Sequence, residues 1–297
     1  MPNKPKLIVI TGPTSSGKTS LSIKLAKKFN GQIISADSRQ IYKGMDIGTG
    51  KATKQEQRQA KHYLLDVVKP TTEFNVSHFK KKALSAIKKI YKQGKIPILT
   101  GGTGFWIQAV IDDINLPKVK PNKILRHQLA KKTAQQLYQI LKRMDRIRAS
   151  NIDQQNPYRL IRAIEIIKAT NRPVPRISKQ APFDTLMLAI KTPRQKLYHQ
   201  INNRIKARLK KGMIAEVKHL HKQGVSWQRL YYFGLEYRFV NLYLRGKITK
   251  PQMIEQLTNA SHQYAKRQLT WLNKDKRYRW ISNYRQAEIA ADNFLKK

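Results

Sequence analysis

Gly12-Pro13-Thr14-Ser15-Ser16-Gly17-Lys18-Thr19 satisfies the pattern G-x-x-x-x-G-K-[ST] at every fixed position. The apolar run Leu7-Ile8-Val9-Ile10 comes just before it and suits a buried parallel strand. Ser20 to Phe29 follows, with Leu21, Ile23, Leu25, Ala26 and Phe29 at helical spacing. Strand, glycine-rich turn and helix are the context in which this pattern works. The glycines let backbone N–H groups converge on phosphate oxygens at a helix N-terminus, which carries roughly +0.5 charge. Lys18 adds a point charge, and the Thr19 hydroxyl is placed to ligate Mg²⁺. A chance match in an ordinary strand-to-helix turn is the plain alternative; the flanking elements favour a phosphate site. The pattern is shared by many ATP- and other nucleotide-binding proteins, so it gives the ligand's phosphates and not its identity.

Working outward, Gln32-Ile33-Ile34-Ser35 reads as a second strand ending in Ala36-Asp37-Ser38. Lys95 to Thr100 reads as a third, ending in Gly101-Gly102-Thr103-Gly104. Between them Phe79 to Gln93 is an amphipathic helix with Gly94 as its C-cap. Such alternation predicts a parallel sheet with its ligands at the carboxyl ends of the strands. Thr14, Lys18, Asp37 and Thr103 should therefore converge. Asp37 suits a general base, a Mg²⁺ ligand or a cap for the next segment.

From Pro117 the texture changes. Residues 118–180 read as helical throughout, with sixteen Lys and Arg against the three acids Asp145, Asp153 and Glu165, a net charge of +13. Leu186 to Ile190 then returns to the sheet. Helices follow over Pro193–Lys211, Met213–Gln223 and Ile254–Asn273, and Arg279-Trp280-Ile281 is an edge strand. The expected fold is α/β: a P-loop NTPase-like parallel sheet flanked by helices (1–117 and 181–297), with an all-helical insertion lobe (118–180).

The chain of 297 residues carries 60 Lys+Arg against 17 Asp+Glu, a net charge of +43. That excess points to a polyanion, nucleic acid before anionic membrane, with a general lysine bias as the plain alternative. Cysteine is absent, which excludes disulfides, thiolate metal sites and cysteine catalysis. No apolar stretch nears the ~18–20 residues of a membrane span, and the start has no signal-type core. A cytoplasmic monomer with no membrane partner is the expectation.

Several further blocks are more selective than the P-loop: Ser35-Ala36-Asp37-Ser38-Arg39-Gln40-Ile41-Tyr42-Lys43-Gly44-Met45-Asp46-Ile47-Gly48-Thr49-Gly50-Lys51, His62-Tyr63-Leu64-Leu65-Asp66 and Pro97 to Ile107. Asn156 to Glu165, Arg204 to Met213 and Tyr264-Ala265-Lys266-Arg267-Gln268-Leu269-Thr270-Trp271 continue the series. In this order they resemble the bacterial tRNA dimethylallyltransferases, over about residues 7 to 281. The resemblance implies transfer of a dimethylallyl group from its diphosphate to N6 of the adenosine 3′ of the anticodon, releasing diphosphate. The P-loop, Gly12 to Thr19, would then cradle the diphosphate, with Mg²⁺ held by Thr19. It further implies Asp37 as general base, Thr14 and Arg204 beside the diphosphate, and adenine flipped out of the anticodon-loop stack. It assigns tRNA contacts to Asp37, Ser38, Arg39, Gln40, Thr103, Arg126, Tyr158, Arg159, Leu160, Ile161 and Arg162. The same holds for Lys266, Arg267, Gln268, Leu269, Thr270, Trp271, Leu272 and Asn273, with an anticodon stem-loop as partner.

Plain alternatives accompany these roles. Arg126, Arg159 and Arg162 could be a solvated helix face, and Trp106 and Trp271 suit the core as well as base stacking. The family pattern is departed from at Tyr231 to Arg238, where only Gly234 matches securely, and at Phe105-Trp106, where Leu-Tyr is usual. Two rival classes share the P-loop: a small-molecule kinase, and a non-catalytic RNA-binding ATPase with His62–Asp66 as its acidic strand.

Overall fold

The computed structural model describes residues 4–175, 178 and 180–297; residues 176, 177 and 179 of the expected insertion lie outside the described residues. Six strands form one sheet: β1 (Lys6–Thr11), β2 (Gly31–Ser35), β3 (His62–Tyr63), β4 (Ile96–Thr100), β5 (Asp184–Ile190) and β6 (Arg279–Ile281). Their order is β3-β2-β4-β1-β5-β6, and every pairing is parallel. The P-loop strand β1 is thus central, between β4 and β5.

Alternation explains why the strands read as unbroken apolar runs. Leu7, Val9, Ile34, Leu99 and Met187 face one hydrophobic cluster, and Ile8, Ile10, Ile33, Ile98 and Leu188 face another. With helices on both faces, each strand residue must be apolar. The second face is covered by the helices Lys18–Lys28 and Tyr284–Lys296. The first is covered by Val76–Lys92, Gly104–Ile111 and the helices after β5. Those include Arg194–Lys210, Met213–Lys222, Trp227–Tyr232, Leu235–Leu244 and Lys250–Lys274.

Local chemistry sets the ends. Asn75 accepts N–H bonds from Ser77 and His78 and starts its helix three residues before the Phe79 expected from periodicity. Thr249 and Gln252 form a capping box, so the long C-terminal helix begins at Lys250 and not at Ile254. Gly94 follows the Val76–Lys92 helix at φ +64°, as a chain-reversing glycine should.

The chain divides into two compact units, 1–113 with 181–297, and Ile114–Gln180. The second has its own core of Leu129, Leu137, Leu141, Leu160 and Ile164, built by four helices: Lys123–Ala130, Ala134–Met144, Arg146–Ser150 and Pro157–Thr170. At its centre the Glu165 carboxylate, 1% exposed, takes two bonds of 2.8 Å from Arg126, one of 2.5 Å from Arg162 and one of 2.7 Å from the Asn122 N–H. Burial pushes this carboxyl up, but the Arg126, Arg162 and Asn122 bonds outweigh it and hold it below the usual range.

Candidate active site

The carboxyl ends of β1, β2 and β4 open into one chamber of about 840 Å³ lined by Thr14, Lys18, Thr19, Asp37, Thr103, Arg204 and Gln268, among others. Gly17 caps the helix that follows the P-loop at φ +87°, a left-handed conformation that strains any side chain. The turn it makes brings the Lys18 ammonium back over the loop, where it donates to the Gly12 and Pro13 carbonyls at 3.0 and 2.7 Å. The hydroxyls of Ser15 and Ser16 are buried without a partner, and so is Arg204 Nε. Orphaned polar atoms around one loop mark a place where a ligand supplies the missing bonds.

Arg204 enters from the Arg194–Lys210 helix and donates to the Thr14 hydroxyl, while the Thr14 N–H donates to Gln268 Oε1 at 2.8 Å. Gln268 in turn donates to the Gly102 carbonyl at 3.2 Å, tying the C-terminal helix to the end of β4. Burial and the neighbouring Arg204 lower the Lys18 ammonium to about 7, against a smaller opposing pull from Asp37. Burial and Arg208 lower Arg204 to about 10. Two crowded, desolvated cations with idle donors beside them suit an anion.

Asp37 stands across from them after β2. Its Oδ1 accepts the Arg39 N–H at 2.8 Å, and its Oδ2 takes no hydrogen bond from the described residues. Both capping and chemistry are open to one carboxylate. The Ser38 N–H donates to the Thr103 hydroxyl at 3.1 Å. The predicted convergence of Thr14, Lys18, Asp37 and Thr103 is therefore present.

For Mg²⁺, no group of three His, Cys, Asp or Glu suited to a metal is found among the described residues. Thr19 lines the chamber together with Ser15, whose hydroxyl has no hydrogen-bond partner among the described residues. These are hard oxygen donors, and they fit an ion that brings most of its ligands with a diphosphate.

Other residues fall differently. On the C-terminal helix Lys266, Arg267, Thr270 and Asn273 are exposed and Leu269 is half-buried, whereas Leu272 is buried in the core and is corrected to a packing residue. Leu160 is likewise fully buried, which removes it as a contact, while Tyr158 is 74% exposed, Arg159 is exposed and Ile161 half-buried. Arg126 and Arg162 are committed to Glu165, and Arg162 also donates to the Val119 carbonyl at 2.9 Å. Helical spacing pairs Arg162 with Glu165, three residues on in the same helix, but gives no sign of Arg126, which lies 39 residues from that acid. Trp106 stacks on Phe79 with centroids 4.4 Å apart, in the core; Trp271 is half-buried over Gly104. Phe105 is 43% exposed.

The divergent Tyr231–Arg238 segment contributes Phe233, Gly234, Glu236 and Tyr237 to the chamber lining. Glu236 pairs with the buried Arg208 at 2.5 Å, and Tyr237 donates to Glu216 at 2.7 Å. Of the residues this segment gives to the lining, the sequence singles out Gly234 alone. Acid scarcity was an available signal: with 17 acids among 60 bases, a carboxylate on a buried helix face is there for a specific partner.

The profile of the IPP transferase family matches residues 40–275. The chain belongs to the IPP transferase family. A tRNA dimethylallyltransferase of Pelotomaculum thermopropionicum is 36% identical to it, across 99% of this chain and 96% of its own length. The tRNA dimethylallyltransferase 1 of Geotalea daltonii is 40% identical, across 92% and 88%. Among solved structures, the full-length tRNA isopentenylpyrophosphate transferase from Bacillus halodurans superposes with a TM-score of 0.74 at 35% identity, covering 99% of this chain and 96% of that one. A eukaryotic dimethylallyltransferase described as acting on tRNA gives 0.76 at 26% identity, covering 98% and 77%. The resemblance carried by the DSRQIYKGMDIGTGK and YAKRQLTW blocks is thus borne out, and so is the parallel α/β fold. As an IPP transferase, the chain has a family match that begins after the P-loop and Asp37, so the chamber's phosphate end is read from its own geometry.

Proposed function

We propose that this IPP transferase moves a dimethylallyl group from dimethylallyl diphosphate to N6 of the adenosine 3′ of the anticodon in tRNA. The observation that carries the reading is one chamber with Lys18, Arg204 and Thr14 at one end and nearby an Asp37 oxygen that takes no bond from the described residues. In the reaction the N6 lone pair forms a bond to C1 of the allyl group. The C1–O bond breaks, its electron pair leaves on the diphosphate, and the amine proton passes to Asp37. Lys18, Arg204 and the loop N–H groups meet the charge that builds on the leaving group, as preorganised donors do. Mg²⁺, held by Thr19 and the diphosphate, would supply further charge neutralisation there. An exocyclic amine is a weak nucleophile, so placing it supplies much of the rate.

Topology weighs against the ATPase and kinase readings. The neighbours of β1 run into Gly101-Gly102-Thr103 and Lys191-Thr192-Pro193, and neither brings an acid beside the P-loop. His62-Tyr63 is an edge strand, and Asp66 is bound to Lys51 at 2.6 Å. Among the described residues no helix is long and apolar enough to cross a membrane. The test is competition. Inorganic diphosphate should displace dimethylallyl diphosphate, and ATP should not be turned over without tRNA; brisk tRNA-independent ATP hydrolysis would reject the proposal.

The basic unit is proposed to grip tRNA phosphates, through fewer arginines than its sequence suggests. Arg159→Ala should flatten the slope of log K against log salt by about 0.7 to 0.9, the share of one phosphate contact. Arg162→Ala should instead cost roughly 1–3 kcal/mol of stability, because it leaves the buried Glu165 short of a charged donor. Salt titrations beside melting curves of both variants check this; a larger slope change for Arg162 than for Arg159 would reverse the assignment.

A further inference from the structure

Glu216, on the Met213–Lys222 helix, spends its carboxylate on a loop. Oε2 accepts the N–H groups of Asp46 at 2.8 Å and Ile47 at 2.7 Å. Oε1 accepts the Gly48 N–H at 3.0 Å and the Tyr237 hydroxyl at 2.7 Å. In a chain with 60 cationic side chains, this acid is matched to three consecutive amides and a phenol. Charge-assisted bonds of this kind are about twice as strong as neutral ones, so four on one carboxylate fix a loop firmly. Tyr237 is 1% exposed, and its ring presses on Gly48 so closely that an added Cβ would lie 2.7 Å from it. Burial, then Glu216 itself, holds the Tyr237 hydroxyl well above its usual range, so it remains a donor.

The clamped loop closes on itself through Gly50 N–H to Ile47 O at 3.1 Å and Thr49 Oγ1 to Met45 O at 2.6 Å. From there one path leads to the reacting end of the chamber. Gln40 Nε2 donates to the Gly50 carbonyl at 3.1 Å, and Gln40 Oε1 accepts from the Ser35 hydroxyl at 2.9 Å. Ser35 is the last residue of β2, two before Asp37. The loop and Asp37 line the same chamber, and none of these bonds passes through the P-loop.

We infer that Glu216 is a positioning residue for the transfer step: it holds the Asp46–Gly50 loop and, through Gln40 and Ser35, sets Asp37 against the acceptor adenine without touching the diphosphate cradle. The inference rests on the transferase reading above and extends it to a residue outside the reacting groups. A misplacement of about 1 Å at a reacting group costs on the order of 10² in rate. Loosening the loop should therefore show in the chemical step.

The experiment uses Glu216→Gln, whose amide N–H₂ must face donors on one side, and Glu216→Ala. Single-turnover prenylation at saturating dimethylallyl diphosphate and tRNA should fall by roughly 10- to 100-fold. Inorganic diphosphate should bind within about twofold of wild type, because its donors lie elsewhere. Amide hydrogen exchange should quicken at residues 46 to 48 and stay unchanged in β1. A rate within about threefold of wild type, or exchange at 46 to 48 that does not change, would overturn the inference. Joint loss of diphosphate binding and of exchange protection throughout would overturn it too, since Glu216 would then be a fold residue. Should neither variant fold, Tyr237→Phe removes one donor of the four and should slow transfer by about threefold or more; an unaltered rate there counts against the clamp. A wild-type chain that binds diphosphate but does not prenylate tRNA would instead sink the functional reading, a result distinct from an active wild type with an indifferent Glu216.

Discussion

Asp37→Asn and Asp37→Ala should each lower kcat by roughly 10²- to 10⁴-fold while tRNA affinity stays near wild type, as loss of a general base requires. The pair separates the two uses of this side chain. Asn retains an oxygen for the Arg39 N–H, which Asp37 Oδ1 now accepts at 2.8 Å, and loses only the basic carboxylate. If Asp37 served only the turn, Asn would be nearly silent and Ala would cost about 1 kcal/mol of stability with little effect on rate. If it is the base, Asn and Ala fall together. Single-turnover rates set beside melting curves decide it, and a rate for Asn within about threefold of wild type would remove the base assignment.

Lys18→Met should weaken diphosphate binding by about 10- to 100-fold, the worth of a hydrogen bond between charged groups. It should also change how that binding depends on pH. In the free protein burial and Arg204 bring the Lys18 ammonium down to about 7. A bound diphosphate restores its preference for the proton, so binding above pH 7 takes a proton up. Affinity should therefore be greatest below pH 7 and fall as pH rises past it, until Lys18 deprotonates in the complex as well. Calorimetry at pH 8 in two buffers of different ionisation enthalpy counts that proton, and the difference between wild type and Lys18→Met isolates it from the protons of diphosphate. Equal proton uptake by the two would contradict the cradle as described. The same shift works against the empty fold. A lysine whose pKa is lower folded than unfolded destabilises the protein below pH 7, and the penalty fades between pH 7 and the ordinary lysine range. Lys18→Met should thus melt higher than wild type at pH 7, with the gain shrinking toward pH 10.

Much of this was legible in the sequence for identifiable reasons. The P-loop glycine, the unbroken apolar strands and the polar strand ends each record a constraint local in the chain, so the sequence alone puts Thr14, Lys18, Asp37 and Thr103 together. Helix starts slipped by a few residues because Asn75 and Thr249 cap beyond the last apolar residue of the pattern. What stayed hidden was long-range pairing. Arg126 looks like the rest of a basic surface until Glu165, 39 residues on, is seen to hold it, whereas Arg162 meets the same acid at an ordinary helical spacing of three. Leu160 shares a motif block with exposed neighbours and Leu272 lies one residue past another, yet both fall on the core-facing side of their helices. Glu216 and Glu236 lie in stretches with no motif, and only the fold brings them to Tyr237 and Arg208.

The proposed reaction needs one chamber to join a diphosphate cradle to a base that serves an adenine. It is tested most directly by incubating the protein with unmodified tRNA and labelled dimethylallyl diphosphate, then mapping the label by nucleoside analysis. The expected product is N6-dimethylallyladenosine at the adenosine 3′ of the anticodon, in step with the diphosphate released, and none with the Asp37 variants on the same timescale. Diphosphate release without label in tRNA, or label on any atom other than adenine N6, would contradict it.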